Sequence, residues 1–259
     1  MRFFNIIASI GASATVPTDP TPLVTPIRML VIGDSIGNGT NEIYSQPDTD
    51  DSIQGIAGSN TLYEWDGFNL TERVRDTIGA NNGSQYPNMA IKFKELTGRV
   101  THIVETATGG DGFTRARGNN WTATGTRYAP MLTIANSYLS DQSGAKFDFI
   151  KLVGGILDAG SDITVDLIDV DIRDLIVRLH SDFPNTPIVY SNIYSGSTKN
   201  EAVRANIADI IATDPLVFAG EDLQNWNSAT YQFDGLHLYQ TANNAFGEAD
   251  AIIINNTVL

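Results

Sequence analysis

The chain contains no cysteine. Disulfides, thiolate catalysis and cysteine-type zinc sites are therefore excluded, although that absence assigns no compartment. Histidine is nearly as scarce. His102, His180 and His237 are the three in the chain, and no two form an H-x-x-x-H pair, so a zinc site has little support. No apolar run approaches the roughly 20 residues that span a bilayer. Basic charge is short as well: 16 Lys and Arg against 30 Asp and Glu leave a net charge of −14. An acidic surface repels phosphate backbones and anionic lipid, so neither nucleic acid nor membrane is an expected partner. Nothing in the sequence asks for a cofactor.

What is present reads as one globular unit. The 259 residues suffice for a single large core. Residues 3–10 form an apolar run after Arg2, and Ala12-Ser13-Ala14 resembles a cleavage site. The run is short and interrupted by Asn5, so it reads as a strand or docking arm rather than a signal peptide. Residues 15–26 contain four prolines among Thr and Asp, an extended linker that cannot be helical. Residues 1–26 are thus read as arm and linker, and 27–259 as the folded domain.

Within that domain, residues 27–32 are a short apolar run closed by Gly33, the pattern of a buried parallel strand. Four more strands are expected at 102–105, 147–153, 188–191 and 216–219. Helices are expected at 87–96, opened by Pro87 and ended by Gly98, and at 130–139. Ile168, Ile172, Leu175, Ile176 and Leu179 recur at helical spacing up to Phe183-Pro184. Ser197 or Thr198 caps a helix whose apolar face is Val203, Ile207, Ile210 and Ile211. A last helix covers 239–254. Residues 38–84 are polar and too long for a simple connection, so they read as an elaborated loop over a site. The alternation predicts an α/β fold with a central parallel sheet of about five strands and helices on both faces. Ligands of such sheets bind beyond the carboxyl ends of the strands.

Two motifs fall there. Gly33-Asp34-Ser35 follows the first strand, where a serine at a strand-to-helix junction exposes its hydroxyl beside backbone N–H donors. Serine needs a base to take its proton. Asp234-Gly235-Leu236-His237 precedes the last helix, and its spacing brings a carboxylate to one imidazole nitrogen while the other faces outward. Each motif is weak alone. Together, on one edge of one sheet, they describe a nucleophile, base and orienting acid: Ser35, His237 and Asp234. His102, entering a strand, and His180, ending a helix, read as packing or surface residues.

These residues resemble the SGNH, or GDSL-type, hydrolases, whose fold is a three-layer α/β/α sandwich like that of flavodoxin. The family's first block matches Val31-Ile32-Gly33-Asp34-Ser35. Its second, N-x-G-x-x-G, corresponds to Ala107-Thr108-Gly109-Gly110-Asp111-Gly112. Its third, G-x-N-D, corresponds to Gly155-Ile156-Leu157-Asp158, and its fourth, D-x-x-H, to Asp234–His237. The resemblance runs from about residue 27 to the C-terminus. It implies an oxyanion hole built from the Ser35 and Gly112 backbone N–H groups. Leu157 stands where the family's third block has an asparagine donor, so Thr108, Asn38 or an amide of Gly109-Gly110 is the expected substitute. The sialate O-acetylesterase branch, more loosely similar, also departs at that block and carries a glycine pair after the second strand.

All three tryptophans fall in loops expected after strand ends. Trp65 lies in the insertion between Tyr63 and Phe68, Trp121 follows the glycine segment, and Trp226 precedes the Asp234 block. Trp65, Tyr63, Trp121 and Trp226 either stack on sugar rings or pin long loops to the body. The resemblance implies a serine ester hydrolase, with a carbohydrate O-acetyl ester as the favoured substrate, an acyl-enzyme intermediate and no cofactor. An extracellular, cell-surface or virion-associated setting is expected, and the oligomeric state is not legible. The competing reading is a glycan-binding or adhesin module in a surface or phage-tail-like assembly. The altered second and third blocks favour it, and the intact Ser35, Asp234 and His237 oppose it.

Overall fold

The computed structural model describes residues 24–37, 41–43, 59–73, 82–232 and 234–259. The expected arm, nearly all of the linker and much of the 38–84 insertion lie outside the described residues.

The chain forms an α/β fold around a seven-stranded sheet. Strand β1 (Ile27–Gly33) lies at its centre. Its residues alternate between two cores. Leu30 and Ile32 face one, while Ile27, Met29 and Val31 face the other. Burial on both faces is why this strand reads as a continuous apolar run. A short pair, β2 (Asn41–Ile43) and β5 (Asn82–Gly83), stands apart from the main sheet. The other strands are β3 (Leu62–Trp65), β4 (Leu70–Glu72), β6 (Thr101–Glu105), β7 (Phe149–Val153), β8 (Ile188–Ser191) and β9 (Val217–Ala219). The sheet order is β4-β3-β6-β1-β7-β8-β9, and all pairings but β3–β4 are parallel.

The five expected strands are all present. The additional two, β3 and β4, come from the segment read as a loop. Leu62-Tyr63-Glu64-Trp65 is too short and too mixed to announce itself by periodicity. It becomes a strand because the edge of β6 offers unpaired backbone groups.

Helices α1 (Tyr86–Thr97) and α6 (Gln240–Thr257) pack together on one face. Helices α2 (Tyr128–Asp141), α4 (Val165–Asp182) and α5 (Thr198–Thr213) supply the core of the other. A four-residue helix, α3 (Ile156–Ala159), lies between β7 and α4. The α5 cap is Ser197, whose Oγ accepts the Asn200 N–H at 3.1 Å. Because β6 and β7 flank β1 on opposite sides, the chain order reverses at β1. The crevice this reversal opens lies at the carboxyl end of β1, where Ser35 sits. Among the described residues no helix is long and apolar enough to cross a membrane.

Candidate active site

Strand β1 ends on Gly33 and the chain turns through residues 34–37. A turn, not the expected helix start, therefore carries Ser35 among the described residues. The Asp34 N–H donates to Val153 O at 3.1 Å, which ties the turn to β7. Asp34 Oδ1 in turn accepts the Ile36 N–H at 3.1 Å. Ser35 is left 6% exposed, with its hydroxyl at the sheet edge.

The opposing residues come from the loop before α6. Tyr239 N–H donates to Tyr231 O at 2.8 Å and Gln232 bridges Leu238, so residues 231–239 form a closed loop. At its head Gly235 has φ +81°, a conformation open to glycine at little cost. That bend lets Asp234 Oδ1 accept the N–H groups of Leu236 at 2.9 Å and His237 at 2.7 Å. Asp234 Oδ2 lies 2.7 Å from His237 Nδ1, and His237 Nε2 lies 2.9 Å from Ser35 Oγ. A proton on Nδ1, held by the carboxylate, leaves Nε2 to accept from the serine hydroxyl. Partial burial pushes the Asp234 carboxyl up. The N–H of His237, its imidazole and the N–H of Leu236 outweigh that push and hold it below the ordinary carboxylate range.

The glycine segment after β6 corrects one expectation. Thr108 N–H donates to Gly33 O at 3.1 Å, so the segment lies against the Ser35 turn. The Gly112 N–H, however, points to Asn119 O at 3.3 Å, while Gly112 O accepts from the Trp121 N–H. Gly112 is spent closing its own loop. Gly109 and Gly110 are exposed, and their N–H groups bond to nothing among the described residues. Gly110 has φ +81°. A family motif aligned by its last glycine could not reveal this, because the direction of an N–H depends on which loop it closes.

Leu157 packs partly buried against the core, as its apolar side chain dictates. Its neighbour Asp158 is fully buried. Asp158 accepts the Phe113 N–H at 2.7 Å and the Thr114 hydroxyl at 2.9 Å, with Arg117 Nε 3.4 Å away. Asp158 thus fastens the glycine segment to the end of β7, a role its place in the third block does not announce.

The aromatic residues divide. Trp65 is 5% exposed, and its indole N–H donates to Ser137 Oγ at 3.0 Å. Trp121 is 1% exposed and donates to Gly33 O at 3.2 Å. Both are anchors within the core with no face for a sugar. Tyr63 pairs in register with His102 near the start of β6, and its hydroxyl bonds Asn60 Oδ1 at 3.0 Å. It lies away from the carboxyl edge. Trp226 alone remains partly open beside the 231–239 loop. The other histidines are structural. His102 Nδ1 sits 2.9 Å from the Tyr138 hydroxyl, and burial with the Arg28 charge pulls its pKa down to about 4. His180 Nε2 pairs with Asp214 at 3.0 Å. Among the described residues no cluster of His, Asp and Glu could hold a metal ion.

No family model matches the chain, and no curated protein matches it in sequence. Solved structures do. A protein from Arabidopsis thaliana superposes with a TM-score of 0.72 at 17% identity, over 90% of this chain and 100% of that one. NanS gives a TM-score of 0.62 at 12% identity, over 90% and 98% of the two chains. A carbohydrate acetylesterase from Xanthomonas citri gives 0.59 at 11% identity, over 89% of this chain and 56% of that one. At such identities the likeness is one of fold. The fold is that of the SGNH/GDSL hydrolases, an esterase-like architecture.

Proposed function

We propose that the protein is a serine esterase acting on an O-acetyl group carried by a carbohydrate. The observation that carries this reading is the contact chain from Asp234 Oδ2 through His237 to Ser35 Oγ, at 2.7 and 2.9 Å. Its position at the reversal point of an SGNH-type sheet supports it, as does a structural neighbour described as a carbohydrate acetylesterase. Ser35 Oγ attacks the ester carbonyl carbon while His237 Nε2 takes the hydroxyl proton. Asp234 holds the imidazole in the required tautomer and stabilises its cation. The carbonyl oxygen becomes an oxyanion beside the Ser35 N–H and the amides of Gly109 and Gly110, in place of Gly112. Collapse expels the sugar alkoxide, which leaves with the proton from His237. Water, deprotonated by the same imidazole, then attacks the acyl-serine, and acetate and free Ser35 result.

The test is turnover of p-nitrophenyl acetate and acetate release from acetylated polysaccharides. Ser35→Ala is expected to lower kcat by about 10⁴–10⁶-fold without loss of folding by circular dichroism. Turnover retained in folded Ser35→Ala would end the proposal. The replacement of the family asparagine by Leu157 favours one second reading, a glycan-binding module of a surface assembly. Glycan binding by a wild-type protein with no turnover would establish it.

A further inference from the structure

Eight large apolar or aromatic side chains among the described residues remain exposed, and Tyr231 is the one on the loop that carries Asp234 and His237. It is 37% exposed and three residues from Asp234. Its backbone closes that loop, donating to Ser228 O at 2.9 Å and accepting from the Tyr239 N–H at 2.8 Å. The ring is therefore carried on a closed loop rather than on a free segment. Its hydroxyl bonds to nothing among the described residues.

The ring is braced by Trp226. Its centroid is 5.2 Å from that of Trp226, at 63° between planes. Trp226 cannot yield. Its indole N–H donates to Glu221 Oε1 at 3.0 Å, and its ring meets buried Phe246 edge-on at 6.3 Å. An aromatic side chain with two torsions, a ring packed behind it and part of its surface exposed loses little entropy on binding. Such a face suits the C–H surface of a pyranose, and its phenol suits a sugar hydroxyl. An alkyl ester would need an enclosed apolar slot instead, and Tyr231 is exposed.

We propose that Tyr231, braced by Trp226, is the sugar-stacking residue that places an acetylated glycan over Ser35. This deepens the esterase reading and rests on it, naming a pyranose ring rather than a simple alkyl or aryl group as the portion recognised. Trp65 and Trp121, whose rings are buried, are excluded from that role.

The probes are partially acetylated xylo-, manno- and cello-oligosaccharides, with p-nitrophenyl acetate as the sugar-free comparison. Tyr231→Ala is expected to raise KM for the preferred oligosaccharide about tenfold or more. The loss should fall in KM rather than kcat. The ratio of oligosaccharide to p-nitrophenyl acetate kcat/KM should drop by a similar factor, and Tyr231→Phe should recover most of it. Equal losses on both substrates, or a loss confined to kcat, would make Tyr231 a loop-closing residue and overturn the proposal. Calorimetric titration of Ser35→Ala with the same oligosaccharides separates the two readings. Binding that disappears in Ser35→Ala/Tyr231→Ala upholds the platform even if wild type turns over nothing. Absence of binding to every oligosaccharide in Ser35→Ala overturns it even if the ester chemistry is real.

Discussion

Asp34 precedes the proposed nucleophile and bears a cost that its motif conceals. It is 2% exposed, and burial pushes its carboxyl from 3.8 up to about 7. The charge of Asp158 adds to that push, while the N–H groups of Ile36, Gly37 and Gly155 oppose it. Between about pH 4 and 7 the folded chain keeps a proton that the unfolded chain has lost. The contribution of Asp34 to stability is therefore full below the unfolded value and is lost as pH rises through the folded one. Asp34→Asn keeps an acceptor for the Ile36 N–H and removes the titration. Its melting temperature relative to wild type should be higher at pH 8 than at pH 5, equivalent to roughly 2–3 kcal/mol. An offset equal at the two pH values would assign the titration elsewhere. Tyr231 belongs to this scale too. In sequence it is one of nine tyrosines, and only its exposure on the loop that carries Asp234 and His237 distinguishes it.

Among the elements, β7 and α6 are joined by an interaction that helical and strand periodicity would forbid. Lys151 lies mid-strand in β7 with its side chain fully buried. Its Nζ is 2.5 Å from Asp250 Oδ2 on α6 and 2.6 Å from Ser191 Oγ on β8. Burial drives the Lys151 pKa down, and the Asp250 carboxylate opposes that. Lys151→Met would leave Asp250 buried without its cation. The expected cost is about 3–5 kcal/mol, read as a shift of the denaturation midpoint. Lys151→Met/Asp250→Leu should recover most of it, because two apolar groups need no counter-charge. If the double variant is as unstable as the single, the pair stabilises by packing rather than charge. At the same scale, the alternation of apolar strands with amphipathic helices was legible throughout 86–257. Strands β3 and β4 were not, because a three- or four-residue edge strand is set by its neighbour rather than by its own pattern.

For the whole molecule, the net charge of −14 governs the approach of charged substrates. The arginines of the loop after β6 do not offset it locally. Arg115 pairs with Asp171, Arg117 with Asp158 and Arg127 with Asp111. An acetylated polyuronate should therefore be hydrolysed faster as ionic strength rises from about 0.01 to 0.15 M, the range over which screening shortens from about 30 to 8 Å. A neutral acetylated glycan should show little change in kcat/KM. A polyuronate rate that falls with salt would require an exposed cationic patch near Ser35.

The sequence by itself determined the α/β alternation, the place of Ser35 after the first strand and the spacing of Asp234 and His237 before the last helix. These are local properties, written in apolar periodicity and in turns of a few residues. The tertiary structure alone decided which amides of the glycine segment are left without a partner among the described residues, which aromatic rings are buried anchors and which stand open, and how deeply Asp34 is enclosed. Each of those depends on groups brought together from distant parts of the chain. Gly112 meets Asn119 only once its loop closes, Trp121 meets Gly33 only through the core, and Asp34 meets Asp158 only where β1 and β7 lie side by side.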